Sequence, residues 1–156
     1  MAVSKSTTVP LLALTFVFAV VGLGLSAALL AKSTFNTHTS RAVIIQGVFA
    51  ESWTVFFSLI FLITSFVLPR NSFFSAGVVG IMMFLSFLQL IVAAGSCTSL
   101  YKDEGALYNS GVHRAWLGIA FISAFMALFT TVAAFLNYIA SKAVTAQPKK
   151  EEEVHF

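Results

Sequence analysis

Residues 42–68 read AVIIQGVFAESWTVFFSLIFLITSFVL, with one charge, Glu51, between Arg41 and the stop made by Pro69 and Arg70. A helix rises about 1.5 Å per residue, and roughly 20 mostly apolar residues cross a hydrocarbon core about 30 Å thick. The stretch is long enough to span a bilayer. It carries an ionisable residue where hydrocarbon penalises a charge by about 2.5 to 3.5 kcal/mol on the insertion scale. Glu51 is therefore the position that any functional reading has to explain.

Working outward, three more stretches have the same character. Val9 to Ala31 is free of charge between Lys5 and Lys32, and Pro10 falls in the first turn, where a missing N–H costs nothing. The run exceeds the apolar core of about 7 to 15 residues in a secretory signal, so it reads as a retained span. A third run, about 72–96, follows the second after a few residues and must form an antiparallel hairpin with it. The fourth, about 115–140, begins after His113 and Arg114 and stops at Ser141 and Lys142. The expected fold is an all-α membrane protein, a four-transmembrane-helix antiparallel bundle over residues 1–142, with both termini on one side. From Ala143 onward, Lys149 and Lys150 precede three glutamates, so 143–156 is expected to be a disordered charged tail.

Composition agrees and excludes several classes. The chain is 58% hydrophobic and 10% charged, whereas soluble domains run near a quarter charged. The single cysteine, Cys97, rules out an intrachain disulfide, a CxxC pair and a thiolate zinc site. The nine basic residues are scattered and form no stripe, so no nucleic-acid partner is expected. Lys5, Arg70, Lys142, Lys149 and Lys150 on the side of the termini outnumber Lys32, Arg41, Lys102 and Arg114 on the other, which leans toward cytoplasmic termini. No internal repeat is visible, which argues against a duplicated two-helix proteolipid.

Counting inward from the side of the two polar loops, Glu51 lies about eight residues, or roughly 12 Å, inside its span. The same depth falls between Gly22 and Ser26 on the first span, near Gln89 on the third and near Ser123 on the fourth. Glu51, Gln89, Ser26 and Ser123 thus form an expected intramembrane polar layer. One reading makes it a proton or cation site. The other, favoured because the far half of the spans offers little besides Thr15, Thr64, Ser65 and Asn137, makes it a packing layer. There a protonated Glu51 hydrogen-bonds Gln89 or a serine, and Glu51→Leu should loosen the bundle.

Other residues carry weaker signals. Small residues four apart, Gly22 with Ser26, Ala76 with Gly80 and Ala120 with Ala124, suit close helix approach. Trp53 and Trp116 read as interfacial belt residues. His38, His113 and His155 show no metal spacing, and no nucleophile, base and orienter can be assembled. No enzyme activity, cofactor or metal is expected. Cys97 is placed to carry a palmitoyl chain as readily as to do chemistry.

The four-span plan, Ser40-Arg41, Phe49-Ala-Glu51-Ser52, Gly95-Ser-Cys97 and His113-Arg114-Ala115 leading to Ala120-Phe121 together resemble the MARVEL-type tetraspan family. They are most similar to its small fungal plasma-membrane members, related to the non-classical export and eisosome-associated proteins. The likeness covers most of the chain from Ser40 onward, while the first span matches only in hydrophobicity. Family members often carry a second cysteine in the last loop, which this chain lacks. The resemblance implies a non-enzymatic role in organising plasma-membrane domains, sorting or membrane shape. It also implies partners among membrane lipids, sterol included, and through self-association or a larger membrane protein. Arg41, Arg114 and Cys97 would be loop and interface residues. The alternative is a small accessory subunit of a larger membrane transporter, pump or synthase, with Glu51 as its ion site.

Overall fold

The computed structural model describes residues 5–32, 38–67, 76–103 and 111–145, all of them helical. The elements are α1 (Lys5–Lys32), α2 (His38–Val67), α3 (Ala76–Asp103) and α4 (Gly111–Thr145). Each holds a segment long and apolar enough to cross a membrane: Thr7–Ala31, Arg41–Val67, Ala76–Thr98 and Gly111–Ala143. The molecule is a four-helix membrane bundle.

The helices outrun the apolar stretches from which they were inferred. Cys97 to Asp103 and Gly111 to Arg114, expected in a loop, are helical, as are residues 143–145 of the expected tail. The reason is physical: apolar content must stop at the headgroups, but a helix continues into the interface until its sequence ends it. Leu68, residues 72–75 and 146–156 lie outside the described residues.

Direction follows from the packing. Thr15 and Thr130 face each other at 3.1 Å, and Asn137 donates to Thr8 at 2.6 Å, so rising numbers on α1 meet falling numbers on α4. Cys97 against His113 and Gly80 against Phe135 make α3 and α4 antiparallel in the same way. Three clusters stack along the axis. Leu29, Val43, Ile44, Ala94, Cys97, Trp116 and Ala120 fill the end where α1 meets α2 and α3 meets α4, here called the loop end. Ala50, Leu90, Ala93 and Ala124 fill the middle. Leu12, Phe61, Val79, Met83 and Ala134 fill the termini end.

Buried positions recur at alternating steps of three and four. On α1 they are Leu12, Thr15, Ala19, Gly22, Ser26 and Leu29, and on α4 His113, Trp116, Ala120, Ser123, Ala127, Thr130 and Ala134. This seven-residue repeat belongs to helices packed at about +20°. Most of the residues inside are small or hydroxylated, with Leu12, Phe61, Met83, Leu90 and Trp116 the main large exceptions, whereas Phe49, Phe56, Phe66, Phe125, Phe129, Leu136 and Ile139 point outward. In lipid that inversion is favourable: large apolar side chains meet acyl chains at no cost, and small ones let backbones approach.

Candidate functional site

The polar layer can be built one helix at a time. On α2, Ala50, Glu51 and Thr54 lie on the inward stripe, and Glu51 is 0% exposed. Its carboxyl rests on α1 at Gly22. A β-carbon there would stand 2.6 Å from Cδ and 3.0 Å from Oε2 of Glu51, with Oε1 closer still, so with any larger residue at this position the carboxyl would have to swing aside. On α4, Thr130 and Asn137 pair with Thr15 and Thr8. One more seven-residue step along each helix brings Ser123 to the depth of Gly22. Ser123 is fully buried, and its hydroxyl oxygen has no hydrogen-bond partner.

Ser26 is fully buried, but its hydroxyl donates to the carbonyl of Leu23 at 3.1 Å. Gln89 sits beside the inward stripe of α3 formed by Ser86, Leu90 and Ala93. It is half-buried, and its carbonyl oxygen is enclosed without a donor. Neither carboxyl oxygen of Glu51 has a hydrogen-bond partner. The expected bond from Glu51 to Gln89 or a serine is therefore not made. The carboxyl turns toward the glycine of α1, Ser26 turns to its own backbone, and Gln89 lies off the axis.

Toward the loop end a second group forms. Cys97 Sγ and His113 Nε2 are 3.3 Å apart and buried, and the His113 ring lies 5.9 Å from that of Trp116. Trp116 is 0% exposed and lies against Gly47, where a β-carbon would stand 3.0 Å from Cη2 and closer to Cζ2. Trp116 is thus a core residue and not the belt residue expected, because the glycine one turn above Glu51 opens a slot for its indole. Cys97, enclosed at 0% exposure, has no room for an acyl chain, which removes the palmitoylation reading. Arg41 and Arg114 are exposed at the starts of their spans. Trp53, half-buried, stacks between Phe49 and Phe57 with ring centroids 6.1 and 4.6 Å away.

The inference from sequence missed three features: the Cys97 and His113 pair, and the two glycine seats. The pair stands sixteen residues apart across a hairpin of unknown register, so spacing alone gave no sign. The seats had a faint one, since Gly47 and Glu51 are one turn apart on a helix. Among the described residues no group of three or more His, Cys, Asp or Glu is placed to hold a metal ion. Chemically, the layer and its surroundings offer, among the described residues, one buried carboxyl, the Gln89 carbonyl oxygen, the indole N–H groups of Trp53 and Trp116 and the Ser123 hydroxyl, all enclosed without a hydrogen-bond partner. No protein-family model, curated protein or solved structure matches the chain.

Proposed function

We propose that the chain is a non-enzymatic integral membrane protein that organises lateral domains of the plasma membrane, with cytoplasmic termini and lipids as its principal partners. The observation that carries this reading is the inversion of the bundle. Alanines, hydroxyls and one indole share the axis with a few large apolar side chains such as Leu12, Phe61, Met83 and Leu90, while most of the phenylalanines and many of the valines and isoleucines face outward. Such a molecule meets its surroundings through its lipid-facing surface. The likeness to MARVEL-type tetraspans in Phe49-Ala-Glu51-Ser52 and His113-Arg114-Ala115 supports the same role, including an affinity for sterol-rich regions.

The test is cellular. A fluorescently tagged chain should collect in sterol-dependent, slowly exchanging surface patches, and its deletion should disturb their pattern. Normal patterning together with loss of one metabolic reaction would overturn the reading.

One observation favours a second reading. Glu51 is a buried carboxyl without a partner, and intramembrane carboxyls often mark ion pathways. An accessory subunit of a transporter, pump or synthase would co-purify stoichiometrically with a larger protein in mild detergent. Proteoliposomes of that assembly would show a proton or cation flux that Glu51→Gln abolishes.

A further inference from the structure

The polar atoms along the axis are of two kinds. The hydroxyls of Thr54, Ser58, Ser86, Thr130 and Thr131 donate to carbonyls one turn back on their own helices, at 2.6 to 3.1 Å. Such bonds need nothing from the rest of the bundle. Glu51 has no equivalent. Its carboxyl is sealed between α1 and α2 on the Gly22 seat, with neither oxygen bonded.

The neighbours settle which cation suits it. From α1 the carboxyl meets Gly22, and Ser26 one turn away is already bonded to Leu23. From α4 the same layer holds Ser123, and from α3 it holds Leu90 and Gln89. Within the spans between Arg41 and Val67, Ala76 and Thr98, and Thr7 and Ala31, no other charged residue occurs. The nearest other ionisable side chains lie toward the loop end: His113 beside Cys97, then the exposed Arg41 and Arg114. A bare carboxylate in this place would have no counter-charge and no hydrogen bond to either oxygen, a cost of several kcal/mol. Calcium and magnesium take six or more oxygen ligands, and one face of this carboxyl is closed by glycine. A proton needs a single oxygen.

A second observation points to what happens when the proton leaves. Trp116 is fully buried and its Nε1–H has no acceptor. The indole lies against Gly47, one turn above Glu51 on the same face of α2. The ring that carries this unpaired donor thus touches α2 one turn from the residue that carries the unpaired acceptor, while the other unpaired indole N–H, that of Trp53, belongs to a half-buried ring held beside Phe49 and Phe57. The aqueous phase is nearer at the loop end: ten residues separate Glu51 from Arg41, about 15 Å of helix.

We propose that Glu51 is a reversible proton-binding site, whose neutral carboxyl closes α1 onto α2 at Gly22 and whose carboxylate leaves that seat for the indole N–H of Trp116. The released proton goes to water at the loop end, and no other bond is made or broken. This goes beyond the organiser role and holds whichever of the two functions is correct.

The experiment uses the full chain in lipid nanodiscs with Trp53→Phe, so that of the two tryptophans only Trp116 reports. Its emission and the unfolding temperature are followed from about pH 5 to about pH 9; a bundle that holds the proton when closed and releases it when open must lose stability as pH rises. The expected result is a single-step emission change and a falling unfolding temperature, both lost in Glu51→Gln and both kept in His113→Gln. A pH response that survives Glu51→Gln and disappears in His113→Gln would assign the switch to the imidazole and overturn the proposal. Infrared difference spectra of the wild-type chain read the carboxyl directly, even if the Gln variant fails to fold. Loss of a protonated-carboxyl band as pH rises supports the proposal, and a spectrum unchanged across the range overturns it.

Discussion

The two halves of the bundle bury polar atoms by opposite rules. At the termini end, Asn137 donates to Thr8 and the hydroxyls of Thr15 and Thr130 face each other while within reach of their own backbone carbonyls, so polar side chains there have partners. At the loop end, Glu51, Ser123 and the indole of Trp116 are enclosed without partners, and two glycines make room for the larger groups. Paired groups in a membrane interior fix register at modest energy, about 0.6 kcal/mol on average per interhelical bond. Unpaired ones cost energy and are retained for what a change of state does to them. The contrast locates rigidity at one end and responsiveness at the other.

The largest expected effect attacks the glycine seats. Gly22→Ala would drive a methyl into the Glu51 carboxyl, and Gly47→Ala would drive one into the indole of Trp116. Gly47→Ala should destabilise the bundle by about 2 to 3 kcal/mol, the upper range for overpacking a filled core, and Gly22→Ala by about 1 kcal/mol, the lower end, because the carboxyl ends a flexible side chain that can swing aside. Gly24 and Gly118 have nothing within 4 Å of an added β-carbon. Gly24→Ala and Gly118→Ala should be neutral, or gain up to about 1 kcal/mol from helix propensity. Thermal unfolding in one detergent separates the four variants. Equal costs at all of them would mean that the seats are not seats.

Next in size is Glu51 itself. The hydrogen bond expected from the sequence made Glu51→Leu a loosening change. The unpartnered carboxyl reverses that sign, since removing an unsatisfied buried polar group relieves its desolvation cost. Glu51→Met, unbranched like glutamate and apolar, should raise stability by about 1 kcal/mol at neutral pH. A loss of that size instead would reveal a bond formed in the membrane.

How much of this was legible follows from what hydrocarbon dictates. Four helices, their order and the depth shared by Glu51, Gly22 and Ser123 come from counting apolar residues and a fixed rise, because in lipid a run of about 20 apolar residues satisfies its backbone as a helix. The inward stripe is equally visible once the helices are known, since small and hydroxylated residues recur by sevens. Rotation and side-chain direction were not legible. Whether Glu51 turns to Gln89 or to Gly22 depends on how α1 and α3 are rotated about their axes, and the apolar run is nearly uniform around each helix. Trp116 was misplaced for the same reason: nearness to a span end suggested a belt, while the space left by Gly47 on another helix drew the ring inward. Cys97 and His113 meet because α3 continues past the expected run and α4 begins at Gly111, before its own expected start.

At the termini end the comparison can be broken by removing its pairs. Thr130→Val keeps the shape but loses the hydroxyl facing Thr15. The cost should be about 0.6 kcal/mol and no more than about 1.7 kcal/mol, the range measured for such contacts in a membrane protein. A double cycle with Thr15→Val gives the coupling itself, because each hydroxyl has a single O–H for which its own backbone carbonyl competes, and single variants lose that contact too. Coupling near zero would mean that the two ends differ only in geometry.

The smallest expected effect sharpens the comparison, because Cys97 and His113 lie at the loop end and yet face each other as the termini-end pairs do. A thiol is a weak hydrogen-bonding group and packs as a small hydrophobe, so Cys97→Ala should cost no more than about 1 kcal/mol. The pair's character shows better in access than in stability. Cys97 has no exposure, so a maleimide reaches it only when α3 and α4 separate locally, and labelling measures that opening. Slow labelling at all pH values, accelerated by His113→Ala, would make the pair a lock between α3 and α4. If labelling instead accelerates with pH beyond the rise that the growing thiolate fraction gives, and Glu51→Gln removes that excess, loss of the Glu51 proton loosens more than the α1 and α2 contact, and the responsive half extends to the end of the bundle.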